Sequence, residues 1–226
     1  MIVVLVSGGL DSGVALGKMV NAFGPNEVTA LSIVYGQKHV KELECARKLA
    51  NWYQVGHIVK DLSEVFSVSN CSLLQHSTEA IKHESCAQQL QEMGGEGTVD
   101  TYVPFRNGLF LASAASIAYA LGADMVVYGA HRDDAAGRAY PDCSKAFADT
   151  MNCAIREGTG GKVCLWAPFI NYTKADIVRD GLELNVPFAL TWSCYEGGEK
   201  PCGVCGTCID RANAFKINGV ADPALK

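Results

Sequence analysis

The sequence predicts an α/β protein built on a doubly wound parallel sheet. Three observations point there: an unbroken apolar opening run, the alternation of such runs with amphipathic stretches of helical length, and a glycine turn where the first run ends. IVVLV (2–6) is short and β-branched, the pattern of a strand buried on both faces. Residues 11–23, DSGVALGKMVNAF, carry apolar side chains at helical spacings and stop at the breaker pair Gly24-Pro25. EVTALSIVYG (27–36) reads as the second strand, QKHVKELECARKLANWYQV (37–55) as the second helix and HIVKDLS (57–63) as the third strand. From Val65 to Thr101 the chain turns polar and glycine-bearing, an excursion that reads either as a lid or as a loop without regular structure. The pattern then resumes with a helix at 106–121, a strand at DMVVYGA (124–130), a helix near 144–157 and a strand at VCLWAP. A helix at 174–185 follows, with Thr173 to cap it and Asp176 in its first turn. In such a sheet, ligands bind at the carboxyl ends of the strands.

Composition narrows the function classes. The chain has 226 residues, 49 % of them hydrophobic, enough for a sizeable core, and its formal net charge of −5 argues against a general polyanion binder such as a nucleic-acid protein. MIVVLV is too short for an export signal and lacks a basic leader, and no stretch approaches the roughly 20 apolar residues of a membrane span. The expectation is a cytoplasmic protein that meets no membrane.

The first strand runs into VSGGLDS. Backbone N–H groups in a tight glycine turn, followed by the unpaired N–H groups of a helix start, form a cradle for phosphate or pyrophosphate. Gly8 and Gly9 remove side chains that would block that approach, and Ser7 and Ser12 offer hydroxyl donors. Asp11 makes sense there if it caps the helix, helps hold Mg²⁺, or both. The letters match neither G-x-x-x-x-G-K-[ST] nor G-x-G-x-x-G.

Ten cysteines in a chain of this length do not form a disulfide scaffold; six are scattered. The other four, Cys194, Cys202, Cys205 and Cys208, follow the spacing C-x7-C-x2-C-x2-C with glycines between them. Four thiolates leave no open position, which favours a structural zinc ion over a catalytic one; an iron–sulfur cluster would use the same four ligands. The chain then divides into an α/β domain at 1–190, with 65–101 as its insertion, and a metal-binding segment with a terminal helix at 191–226.

Other constellations fall at the same sheet edge. Arg106 and Asn107 open a helix, and a guanidinium there suits a phosphate or carboxylate, unless it merely pairs with a surface acid. Tyr35, Gln37, Lys38 and His39 follow the second strand, where they can position a base or substrate, although a histidine at a helix start is as often a surface group. Asp133, Asp134, Tyr140 and Asp142 follow the fourth strand, where carboxylates can hold Mg²⁺ or accept from the N–H groups of a purine-like base.

SGGLDS resembles the pyrophosphate loop of the N-type ATP pyrophosphatases. Together with YGQKHVKEL, YVPFRNGLFL, YPDC, LTWSCYEGG, PCGVCGTC and RANAF, it resembles the 7-cyano-7-deazaguanine synthase family of the queuosine pathway over nearly the whole chain. Lys38 stands where that family commonly has arginine. The resemblance implies a Rossmann-like, adenine nucleotide alpha hydrolase-like fold whose 1–190 domain is an ATP pyrophosphatase. It implies an ATP-dependent ligase that converts 7-carboxy-7-deazaguanine and free ammonia to the nitrile, with release of AMP and pyrophosphate, and that works as a homodimer. ATP with Mg²⁺ would bind along Val6, Ser7, Gly8, Gly9, Leu10, Asp11, Ser12, Gly13, Val14, Ala15 and Leu16. Asp11, Lys38, His39 and Arg106 are the expected catalytic groups. Tyr35, Gln37, Arg106, Asn107, Asp133, Asp134, Tyr140 and Asp142 are the expected substrate contacts. The competing readings are a tRNA-modifying sulfur-transfer adenylating enzyme, which needs a catalytic cysteine near the nucleotide, and a non-catalytic nucleotide-binding zinc module.

Overall fold

The computed structural model describes residues 1–225. Five parallel strands form one sheet in the order β3-β2-β1-β4-β5, with β1 at Ile2–Leu5, β2 at Val28–Val34, β3 at Gly56–Asp61, β4 at Met125–Val127 and β5 at Cys164–Trp166. The apolar run of β1 is central because it pairs on both sides, Ile2 with Val28 and with Met125. The chain winds outward from β1 through β2 to β3, then returns to the far side of β1 to lay down β4 and β5. That reversal opens a crevice between the carboxyl ends of β1 and β4, where doubly wound sheets take ligands.

Successive side chains of β1 serve opposite layers. Ile2 and Val4 join the helices α1 (Leu10–Phe23), α2 (Lys41–Tyr53), α7 (Lys174–Glu183) and α8 (Gly206–Ile217). Val3 joins α4 (Arg106–Leu121) and α6 (Lys145–Gly158) on the other face. Each fully buried valine contributes about 1.5–3 kcal/mol, so the all-apolar opening run is what the centre of a covered sheet requires. The expected Thr173 cap is present: Thr173 and Asp176 form a reciprocal capping box at the start of α7.

Two elements differ from the sequence expectation. α2 begins at Lys41 rather than 37, because Gly36, Gln37 and Lys38 pair instead with the excursion: Lys38 N–H donates to Leu73 O at 2.9 Å and Gln75 N–H to Gly36 O at 2.7 Å. The excursion carries the helix α3 (Cys86–Glu92), opened by a Ser85–Gln88 capping box, and Phe66, Leu73, Leu74 and Val103 form a small core around Tyr35. The four-residue helix α5 (Arg132–Ala135) follows β4.

Beyond α7 the chain crosses back over the sheet edge. Arg211 on α8 holds this crossing from inside: its guanidinium makes two bonds to Asp222, at 2.6 and 2.9 Å, one to Thr191 Oγ1 at 2.8 Å and one to Ser193 Oγ at 3.2 Å. Phe215 of α8 meets Phe188 edge-on at 5.1 Å, so the terminal helix shares the core of the α/β layer.

Candidate active site and metal site

The crevice contains a cavity of about 230 Å³, lined by the glycine loop on one side and by residues following β2, β4 and β5 on the others. The loop is fixed by its own hydroxyls. Ser12 Oγ accepts from Ser7 N–H at 3.2 Å, and Ser7 Oγ accepts from Gly9 N–H at 3.1 Å. Gly8 has φ +96°, and a Cβ on it would lie 1.9 Å from the Glu42 carbonyl oxygen, so this glycine lets the loop close against α2. Gly129 plays the same part from β4: a Cβ there would press on the Asp11–Ser12 backbone at 3.2–3.3 Å.

Asp11 does not cap α1; the N-cap is Gly9 and no side chain bonds there. Its Oδ2 instead lies 3.6 Å from Lys174 Nζ and 3.8 Å from His131 Nε2, while its Oδ1 is buried with no partner. Burial alone would disfavour the Lys174 ammonium, but the carboxylates of Asp11, Asp134 and Asp210 outweigh it and hold the pKa well above the usual lysine range. Lys174, Asp210 and Tyr195 all line the cavity and were missed by the sequence reading. The signal for Lys174 was its place just past the carboxyl end of the last strand.

On the opposite wall, Arg106 Nη1 donates to Tyr35 Oη at 3.2 Å and its guanidinium stacks 5.0 Å from the Tyr35 ring. Gln37, Asn107, Asp134 and Tyr140 also line the cavity, so these expected residues do converge on it. Others do not. Asp142 is buried beneath α4 and accepts from Asn107 N–H at 2.8 Å, and Asp133 accepts from Lys174 N–H at 2.8 Å at the start of α7. Lys38 Nζ is spent on the Glu79 carbonyl at 3.0 Å. His39 packs against Gly197 beside the cysteines, where burial lowers its pKa, and is not at the cavity. Val6, Ser7, Gly9, Leu10, Asp11 and Ser12 line the cavity, whereas Gly13, Val14, Ala15 and Leu16 are buried along α1, away from it.

The Sγ atoms of Cys194, Cys202, Cys205 and Cys208 all lie within 4.8 Å of one another. Backbone N–H groups of Cys202 and Cys205 donate to the sulfurs of Cys194 and Cys202, each at 3.3 Å. The Cys205 thiol is pushed down to about 5, first by the Cys208 side chain bonded to it and then by backbone N–H donors. Four sulfurs this close are a donor set that could hold a metal ion. The group is tied to the glycine loop: Trp192 Nε1 donates to Cys194 O at 2.8 Å, while Trp192 N–H donates to Gly8 O at 2.9 Å.

The switch-point crevice, the glycine loop at the end of β1 and the facing β4 turn define a doubly wound α/β protein with its candidate site at the carboxyl edge of a parallel sheet. Two solved structures share the fold: an NMN synthetase from Francisella tularensis (TM-score 0.52, 16 % identity, 97 % of this chain and 77 % of that one) and a U34-tRNA thiolase from Methanococcus maripaludis carrying a [4Fe-4S] cluster (TM-score 0.53, 12 %, 96 % and 66 %). At such identities they speak to the fold alone. The family model of the queuosine biosynthesis protein QueC matches residues 1–219. The chain is 42 % identical to a 7-cyano-7-deazaguanine synthase of Archaeoglobus fulgidus, covering 99 % of this chain and 89 % of that one, and 38 % identical to one of Psychromonas ingrahamii, covering 98 % and 96 %. The chain belongs to the QueC family.

Proposed function

We propose that the protein is an ATP-dependent ligase that converts 7-carboxy-7-deazaguanine and ammonia to 7-cyano-7-deazaguanine. The observation that carries this reading is the near full-length family match, joined to a cavity whose one wall is a phosphate cradle. In the first activation a substrate carboxylate oxygen attacks the α-phosphorus of ATP and pyrophosphate leaves. Ammonia then adds to the acyl carbon, AMP departs and a proton is lost, giving the amide. The amide oxygen attacks a second ATP, pyrophosphate leaves and an N–H proton is lost. Cleavage of the C–O bond releases the second AMP as the last N–H proton departs and the nitrile forms.

The chain's own residues would serve both activations in the same way. The loop donors around Ser7, Gly9 and Ser12 bind the departing pyrophosphate, and the Lys174 ammonium offsets charge that builds on the phosphates. Arg106 binds a phosphate or the substrate carboxylate. The orphaned Asp11 Oδ1 is a fitting ligand for Mg²⁺, which would neutralise phosphate charge when bound. The four cysteines would hold a structural zinc ion. A single ion with Zn–S bonds near 2.3 Å sets its sulfurs about 3.8 Å apart, and a four-iron cluster would spread them farther. The enzyme would act as a homodimer on free small molecules.

One observation weighs against the sulfur-transfer reading. Cys86 lines the cavity, but burial pushes its thiol up to about 11, so it is no thiolate nucleophile at neutral pH. Among the described residues no helix is long and apolar enough to cross a membrane. The test is to incubate the protein with ATP, Mg²⁺, ammonium and 7-carboxy-7-deazaguanine and to follow AMP and nitrile by mass spectrometry. Nitrile with AMP is expected; AMP formation without nitrile would sink the substrate assignment.

A further inference from the structure

Four carboxylates line the cavity: Asp11, Glu42, Asp134 and Asp210. Three of them share the Lys174 ammonium, and His131 lies 3.3 Å from Asp134 and 3.8 Å from Asp11. Glu42, in the first turn of α2, stands apart from this group. Among the described residues neither of its oxygens has a hydrogen-bond donor or an ion-pair partner, and Arg106 is the charged group that acts on it. Its backbone is held firmly, since its carbonyl oxygen abuts Gly8 of the loop. Glu42 is half-buried and lines the cavity with both oxygens free, and a ligand offering two parallel N–H groups would satisfy them together.

Two donors line the same cavity as Glu42. Arg106 spends one N–H on Tyr35 Oη. Gln37 Oε1 accepts from Tyr35 N–H at 2.9 Å, which leaves the Gln37 NH₂ as the unspent end of that side chain. An acceptor pair next to donors complements the edge of a guanine-type base, where N1–H and the 2-amino group donate and the 6-oxygen accepts. Adenine presents an unprotonated N1 that a carboxylate would repel.

We propose that Glu42 is the specificity residue for the base: its two oxygens accept from N1–H and the 2-amino group of the deazaguanine, while Gln37 donates to the 6-oxygen and Arg106 stays with the phosphate or the substrate carboxylate. This rests on the deazaguanine reading above and names the side chain that reads the ring. Burial pushes the Glu42 carboxyl up to about 7, against the opposing pull of Arg106 from α4; Tyr35 and Cys45 are the other titratable groups near it. The ionised form is the one that accepts both N–H groups, so affinity falls by up to about tenfold for each pH unit below 7.

The test is calorimetric titration of the full-length metal-bound protein at pH 8 with 7-cyano-7-deazaguanine and with its analogue lacking the 2-amino group. Wild type, Glu42→Gln and Glu42→Asp are compared, and no turnover is needed. Glu42→Gln should lose about 30-fold or more in affinity for the deazaguanine, change little toward the analogue and bind ATP within about twofold of wild type. Glu42→Asp should keep the preference for the 2-amino ligand at lower affinity. Equal binding of the deazaguanine by wild type and Glu42→Gln, or an equal loss of both ligands, overturns the proposal. A wild type that binds neither base overturns the deazaguanine reading along with it, whereas nitrile synthesis with undiminished binding by Glu42→Gln overturns the Glu42 assignment alone.

Discussion

Lys174 and Glu42 carry opposite electrostatic problems in one cavity. The ammonium of Lys174 lies among Asp11, Asp134 and Asp210, so it stays charged, and the proposed function uses it against phosphate oxygens. Lys174→Gln should lower ATP-dependent pyrophosphate release by about 10²–10³-fold with helix content retained by circular dichroism, and a loss under threefold would contradict its role. The Glu42 carboxyl is raised from an ordinary value near 4.5 to about 7, so the folded state holds more protons than the unfolded chain between those two values. Stability therefore falls as pH rises from about 4.5 to 7, and the deficit is complete above 7. Glu42→Gln removes it and should raise unfolding free energy by on the order of 1–3 kcal/mol at pH 8 but not at pH 4.5, as read by urea denaturation. The hydroxyl-braced turn of Ser7, Gly9 and Ser12 could be read from the sequence because its bonds span at most five residues, whereas the distant partners of Gly8 and Asp11 could not. Neither Lys174 nor Glu42 could, because their environments are assembled from α1, α4 and the β4 turn, far away along the chain.

At the scale of elements, α4 shows how a helix start is completed from elsewhere. Its N-cap Phe105 has φ 55° and no side-chain cap, and the buried Asp142 supplies the missing acceptor to Asn107 N–H at 2.8 Å. YPDC thus serves the helix that presents Arg106, although the sequence suggested that Asp142 meets the substrate. Asp142→Ala should cost about 1–2 kcal/mol in urea denaturation and weaken substrate binding through Arg106. An unchanged midpoint would contradict the capping role. The strands and most helices were legible because their periodicity is local, and the Thr173–Asp176 box was visible in the letters. The first turn expected of α2 was not, because residues 36–38 are drawn into pairing with residues 73–75, a contact that no local pattern announces.

In the whole molecule, the cysteine group and the glycine loop form one mechanical unit. The segment from Thr191 to Cys194 runs between them, bonded to Gly8 through Trp192 N–H and held from below by Arg211, whose buried partner Asp222 comes from near the end of the chain. If the four cysteines hold the proposed zinc ion, removing it with a chelator should lower stability by about 3 kcal/mol or more and weaken ATP binding in parallel, read by thermal denaturation and titration. Loss of metal with ATP affinity intact would uncouple the two. The four-cysteine spacing announced a group that could hold a metal, but its fastening to the glycine loop depends on a chain crossing visible only in the fold. In the proposed reaction one cavity activates the same carbon twice. The most direct measurement is the ratio of AMP to nitrile formed from 7-carboxy-7-deazaguanine, ATP and ammonium at completion: the account predicts two AMP and two pyrophosphate per nitrile, and a ratio of one would contradict it.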